Sequence, residues 1–199
     1  LARQYDNPSV EVEAHGQCGV PRTVVEKARD HKKSLGKRRK KSSFDQKTEV
    51  WMITDVDEHP RLHEAKQIAR DNGIGYALSN PCCELWISLH FESITATIHR
   101  HDCQRRLKQH LPTYDHDKGA AVDITALPSE SYHQALKHAL TLHKRHESAQ
   151  DDVRSNPSTS VWCLTEAIRH GSSEKAHESL KTANPELVQF WSGPEVSAE

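Results

Sequence analysis

An α/β domain is predicted, with a parallel sheet flanked by helices and additional helices toward the C-terminus. Three observations carry that expectation. Glu49-Val50-Trp51-Met52-Ile53-Thr54-Asp55 is a nearly continuous apolar run ending in an acid, the pattern of a buried central strand. A helical period over residues 63–72 and a second apolar run over 74–78 follow with short links. Strand, helix and strand in that order form a βαβ unit, whose strands are parallel and adjacent. Beyond residue 80 the periodicity is helical over 82–92, 95–111, 130–146 and 159–170.

The remaining elements read as follows. Residues 1–5 look like the last turn of a helix. Val10, Val12 and Ala14 alternate with Glu11 and Glu13, a strand pattern. Gly16-Gln17-Cys18-Gly19 is a loop, and Pro21 opens a helix with Val24, Val25 and Ala28 on one face. Ala65, Ile68 and Ala69 form the inward face of the βαβ helix, which Asn72-Gly73 closes. Ser79-Asn80-Pro81 caps the helix that carries Leu85, Trp86 and Leu89. Residues 1–199 read as a single domain, with a polar tail over 171–199 broken by Leu187, Phe190 and Trp191.

Composition narrows the function classes. Lys+Arg number 27 and Asp+Glu 28, so the net charge is −1 and any electrostatic steering must be local. The chain is polar, with a mean hydropathy of −0.80, yet its four Trp and dense apolar clusters argue for a packed core. No run approaches the ~18 apolar residues of a transmembrane helix, and no basic-then-apolar leader opens the sequence. Five Cys without a CxxC fit a reduced, cytoplasmic chain. Fifteen His make a surface that gains positive charge toward pH 6, so affinity for polyanions should be pH-sensitive.

Asp55-Val56-Asp57 is the sharpest local feature. Side chains two apart on a strand point the same way. Two carboxylates at one strand end repel unless a cation lies between them. Mg²⁺ is held by one or two carboxylates plus water and phosphate oxygens. Ligands of open α/β sheets sit beyond the carboxyl ends of strands. Asp55 and Asp57 therefore suit a metal-dependent phosphoryl-transfer site; the plain alternative is that Asp57 caps the next helix.

Ser79-Asn80-Pro81-Cys82-Cys83-Glu84-Leu85-Trp86 is expected at the end of the neighbouring strand, close to those aspartates. Asn80 offers a short polar side chain to a phosphate at a helix start. Glu84 is a candidate third carboxylate or general base. On a purely structural reading Asn80 is a cap, Glu84 complements the helix dipole and Trp86 is core. Lys118, in Tyr114-Asp115-His116-Asp117-Lys118-Gly119, can neutralise a phosphate or simply stand exposed on a loop. Lys37, Arg38, Arg39, Lys40 and Lys41 end a basic stretch that is either a phosphate-contacting arm or a solvated helix end. His90, four residues after Trp86, reads as a core or boundary residue. His99-Arg100-His101-Asp102-Cys103 is not read as zinc, because helical positions two apart diverge and no CxxC or HxxxH supports it. There is no P-loop, GxGxxG or GxSxG.

In order, an apolar strand ends in Asp-x-Asp; SNPCxELW, Leu-His-Phe, a Tyr…Lys-Gly loop and Asn-Pro-Ser-Thr follow. This pattern resembles the RloB-like family, which includes the AbiLii abortive-infection proteins. The matching stretches are residues 50–59, 77–92, 111–119 and 156–166. Members look related to Toprim domains, the metal-dependent catalytic fold of topoisomerases, primases and some nucleases. The resemblance implies a Toprim-like compact parallel sheet flanked by helices. It also implies a Mg²⁺ (or Mn²⁺) site made from Asp55, Asp57 and a glutamate after the first strand. The family's usual opening, a strand ending in a Glu-Gly-x-x-Thr-Glu-like motif, is lacking here. Leu1-Ala2-Arg3 would fall in the helix just after it, so that strand and its glutamate are expected upstream of Leu1. Cys83 stands where many relatives carry an aromatic residue, a change of packing rather than chemistry.

The resemblance sets the expected function: a cytoplasmic phage-defence protein, abortive-infection or restriction-associated. It would be a Mg²⁺-dependent Toprim-type nuclease of DNA or RNA. Asp55 and Asp57 would hold the metal and Glu84 would be an accessory ligand or base. Asn80 would position phosphate, while Lys118 and the basic run would contact nucleic acid. The rival expectation is a non-catalytic or nucleotide-sensing subunit that docks a partner protein from the same defence locus.

Overall fold

The computed structural model describes residues 7, 9–16, 19–39, 48–56, 61–118, 122–128, 130–148 and 155–194, with only the backbone at 37–39 and 124. The elements are α1 (Pro21–Arg39), β1 (Trp51–Asp55), α2 (Leu62–Asp71), β2 (Gly75–Asn80), α3 (Glu84–Ser88), α4 (Arg100–His110), α5 (Ser131–Ser148), β3 (Ser158–Thr159), α6 (Val161–His170), α7 (Ser173–Ala183) and α8 (Pro185–Val188), with a 3-10 turn at Ile124–Ala126. Among the described residues no helix is long and apolar enough to cross a membrane.

The βαβ unit is present. Gly75 N–H donates to the Val50 carbonyl before both strands, at 3.0 Å, and Val56 N–H donates to the Ser79 carbonyl near their ends, at 2.7 Å. The strands start together and end together, so they run parallel. Among the described residues the strand order is β1-β2-β3, which makes β2 the middle strand of these three. Burial agrees: all six residues of β2 are buried, whereas Ile53 of β1 is 49% exposed. Among these three strands the central place expected of β1 belongs to β2. The expected all-parallel sheet is corrected as well, because β3 pairs antiparallel with β2, Thr159 opposite Ser79 and Ser158 opposite Asn80. A two-residue Ser-Thr strand carries no apolar alternation to announce it. Polar bonds hold it instead: the Ser79 and Thr159 hydroxyls lie 2.6 Å apart, and Leu78 N–H donates to the Ser160 hydroxyl at 3.0 Å.

The chain groups into two compact units. One comprises Leu1–Thr54, Glu58–Ala77 and Cys163–Glu199; the other comprises Asp55–Asp57 and Leu78–Trp162. In the first, Val25 of α1 and Leu62, Ala65 and Ala69 of α2 are buried. Arg22 pairs with Glu64 of α2. Lys32 of α1 donates to the carbonyls of Asn72 and Gly73, at 2.7 and 2.5 Å. Burial lowers the Lys32 ammonium pKa, against the charge of Glu49. Gly75 has no substitute, because a Cβ there would lie 2.5 Å from the Trp51 ring. Residues 171–188, expected as a polar tail, contain helices α7 and α8, which bury Ala176, Leu180 and Leu187. Ser172 caps α7 by accepting from Lys175 N–H. Residues 10–14 are not the strand that their alternation suggested; they form no ladder, and Val12 is 52% exposed.

In the second unit Leu85, Trp86, Leu89, Leu107, Leu142 and Trp162 are buried. Helix α4 begins at Arg100, later than expected, where the His99 side chain accepts from His101 N–H. Helix α3 covers only Glu84–Ser88 of the stretch expected as 82–92. His143 Nε2 accepts the Trp162 indole N–H at 3.1 Å, so the imidazole proton sits on Nδ1 and serves the Thr159 backbone.

Burial pushes the His143 imidazole down to about 4. The unfolded chain, with its ordinary value near 6.5, takes up that proton first as pH falls. The stability tied to neutral His143 is therefore complete above pH ~6.5. It declines as pH falls toward about 4, by roughly 3 kcal/mol in total. Urea denaturation at stepped pH should show this decline. His143→Gln keeps both an acceptor and a donor and should flatten it; an unchanged slope in that variant would assign the decline elsewhere.

Candidate active site

In the second unit β1 ends in Asp55, β2 ends in Asn80, and α3 starts at Glu84. The Cys83 backbone N–H donates to Asp55 Oδ1 at 2.8 Å, and the Arg100 guanidinium donates to Oδ2 at 2.8 Å. The Asp55 side chain is 30% exposed, enough for water or an ion to reach it. Burial pushes its carboxyl above the usual range. The Cys83 thiol and N–H pull it back, the nearby Glu84 charge adds to the push, and Arg100 opposes it. The hard oxygens of Asp55 suit Mg²⁺, as one ligand in a set completed by water and phosphate. Arg100 beside it is a ready phosphate partner. Asp57 lies outside the described residues.

Glu84 organises a second cluster. Its Oε1 accepts from the Tyr114 hydroxyl at 2.6 Å, His116 Nδ1 at 3.0 Å and the Gln104 amide at 3.2 Å. Burial alone would raise this carboxyl. Hydrogen bonds from Tyr114, its own backbone N–H, Cys82 and His116 outweigh that and hold it below the usual range. Burial and then Glu84 push the Tyr114 phenol up, so it stays a donor. Because an ionised carboxylate only accepts, His116 donates to it from Nδ1, on a side chain that is 53% exposed. A half-exposed imidazole held by a carboxylate can move a proton.

Asn80 is buried and accepts from Asn156 Nδ2 at 3.2 Å. Asn156 in turn accepts from the Ile98 N–H and donates to the Ile98 carbonyl, each at 3.0 Å. Asn80 thus fastens the strand end to the segments before β3 and α4. Lys118 is exposed, with Nζ 3.7 Å from Asp115, beside a cleft of about 280 Å³ lined by Pro112, Thr113, Tyr114 and Asp115. Lys37, Arg38 and Arg39 end α1 in the first unit with only their backbone described; Lys40 and Lys41 lie outside the described residues. His90 is buried against Trp86 and Tyr132 with Nδ1 3.0 Å from the Trp86 carbonyl, the core residue expected.

The second unit therefore gathers Asp55, Asn80 and Glu84, and it carries Lys118 on the loop that delivers His116. Sequence reasoning missed Arg100, Gln104, Tyr114, His116 and Asn156 as site residues. Two signals were available. Tyr114 and His116 stand two apart in a loop, a spacing that lets both reach one carboxylate. Arg100 lies in the His-Arg-His-Asp-Cys run, where only zinc was weighed.

A family model described as RloB-like protein matches residues 1–168. Neither a curated protein nor a solved structure matches the chain.

Proposed function

This chain belongs to the RloB-like family, associated with phage restriction and defence, and from that premise we propose that it is a metal-dependent nuclease of the Toprim type, centred on Asp55. The observation that carries the reading is the half-buried Asp55 carboxylate held by the Cys83 N–H and Arg100 at the strand end, together with an imidazole bonded to Glu84 in the same unit. Asp55 and, by its spacing, Asp57 would hold Mg²⁺ or Mn²⁺, which supplies a lowered pKa for bound water and offsets charge on the phosphate oxygens. Arg100 engages the phosphate. Glu84 keeps the proton on His116 Nδ1, and Nε2 takes the proton of the attacking water. The water oxygen bonds to phosphorus as the bond to the sugar oxygen breaks, and that oxygen leaves with the bonding pair and takes a proton from solvent. Lys118 holds a flanking phosphate, Asn80 acts through Asn156 to fix the strand end, and the basic run from Lys37 to Lys41 gives the first unit a polyanion contact of its own.

The test incubates the full-length protein with plasmid DNA and with RNA, in Mg²⁺ or Mn²⁺ and in EDTA. Cleavage of one polymer is expected only with the divalent ion. His116→Ala should slow it by roughly 10²–10⁴. Glu84→Gln should cost less, because it alters the orientation of the base rather than the base itself. No cleavage of either polymer would sink the nuclease reading. A nucleotide- and metal-dependent thermal shift without cleavage would then mark a sensing subunit.

A further inference from the structure

Among the described residues, one group of three metal-ligating side chains converges away from this site: Glu13, His15 and His31. All three belong to the first unit. Glu13 and His15 stand two apart in the segment leading to α1, and His31 lies within α1. Their ligand atoms all lie within 4.8 Å of one another. His15 Nε2 is 3.1 Å from a Glu13 oxygen, and the His15 and His31 ring centroids are 4.7 Å apart.

Apolar burial does not explain why this segment lies here. It forms no ladder, Val12 is 52% exposed, and Glu13 and His15 are exposed. A tilted pair of imidazoles, with a carboxylate beside it, is one contact of this segment with α1. Tetrahedral Zn²⁺ takes nitrogen and oxygen ligands at about 2.0–2.2 Å, which sets the ligands about 3.2–3.6 Å from one another. The Glu13–His15 edge, at 3.1 Å, falls just short of that range, and the other edges, at no more than 4.8 Å, need close by at most ~1.2–1.6 Å.

We propose that Glu13, His15 and His31 form a transition-metal site of the Zn²⁺ class, with an open fourth position. Two imidazole nitrogens and one carboxylate oxygen select Zn²⁺ over the hard Mg²⁺ suited to Asp55. The metal pins the segment at 13–15 onto α1, and its fourth position takes water or a ligand atom from a bound molecule. This assignment is independent of the nuclease reading.

The full chain, stripped with EDTA and desalted, is titrated with Zn²⁺ by calorimetry, beside His15→Ala, His31→Ala, Glu13→Gln and the control His101→Ala. One equivalent should bind to the native chain. Each histidine variant should weaken binding by more than about tenfold, since losing even an outer-shell partner costs that much. The control should titrate like the native chain. Alanine at position 31 raises helix propensity, so α1 persists in that variant, and circular dichroism checks it. Zn²⁺ should also slow proteolysis within residues 10–16 of the native chain only. Absence of Zn²⁺ uptake would overturn the assignment. Uptake equal in native, His15→Ala and His31→Ala chains would overturn it too, by placing the metal on other histidines.

Discussion

Asp55→Asn should reduce divalent-ion-dependent cleavage by roughly 10³-fold or more, the ~4 kcal/mol of charge stabilisation that a lost metal ligand forfeits. Asparagine is the informative replacement. Its carbonyl oxygen still accepts from Cys83 N–H, so the start of α3 keeps its partner, whereas Asp55→Ala would remove that acceptor as well as the ion pair with Arg100. The measurement is the initial rate at saturating Mg²⁺ with circular dichroism as the fold check. Glu84 remains ionised in this variant and still orients His116, so the residual rate reports the base acting alone. An Asp55→Asn enzyme that cleaves at the native rate would remove Asp55 from the chemistry and leave it as a cap for the Cys83 N–H.

Trp162→Ala should destabilise the protein by about 3–5 kcal/mol, the cost of truncating a large buried aromatic side chain. Trp162 is fully buried, and its indole N–H is the donor to His143 Nε2. The substitution opens a cavity and also leaves His143 with an unsatisfied acceptor. Trp162→Phe separates the two losses, because it keeps most of the ring volume and discards only the hydrogen bond; roughly 1–2 kcal/mol is expected there. Urea midpoints at pH 7 compare the three chains. A loss under ~1 kcal/mol in the alanine variant would mean that the second unit does not depend on this packing.

Much of the fold and part of the site were legible from sequence for identifiable reasons. The βαβ unit announced itself because long apolar runs at 49–55 and 74–78 can be satisfied only by burial in a sheet. The strand order did not, because β3 has two polar residues and hydroxyl bonds hold it rather than a hydrophobic face. Helices α7 and α8 were hidden by the polar majority around three buried positions, Ala176, Leu180 and Leu187. Asp55 and Glu84 were readable from local spacing, since each stands next to a strand or helix end. Arg100 and His116 were not, because their partners are 45 and 32 residues away in sequence and only the folded chain brings them to those carboxylates.

Lys32 gives the basic stretch of α1 a mechanical character. Its ammonium is fixed to two carbonyls at the end of α2, and the helix continues unbroken from there to Arg39. Seven further residues at about 1.5 Å each make a cantilever roughly 10 Å long, anchored at its root. A flexible arm would lose backbone entropy on meeting a polyanion, about 1–2 kcal/mol for each residue it had to order. A rod has lost that freedom on folding: the backbone of residues 37–39 already runs along one axis. Cutting the anchor with Lys32→Met would loosen the root of the lever while leaving every charge from Lys37 to Lys41 in place.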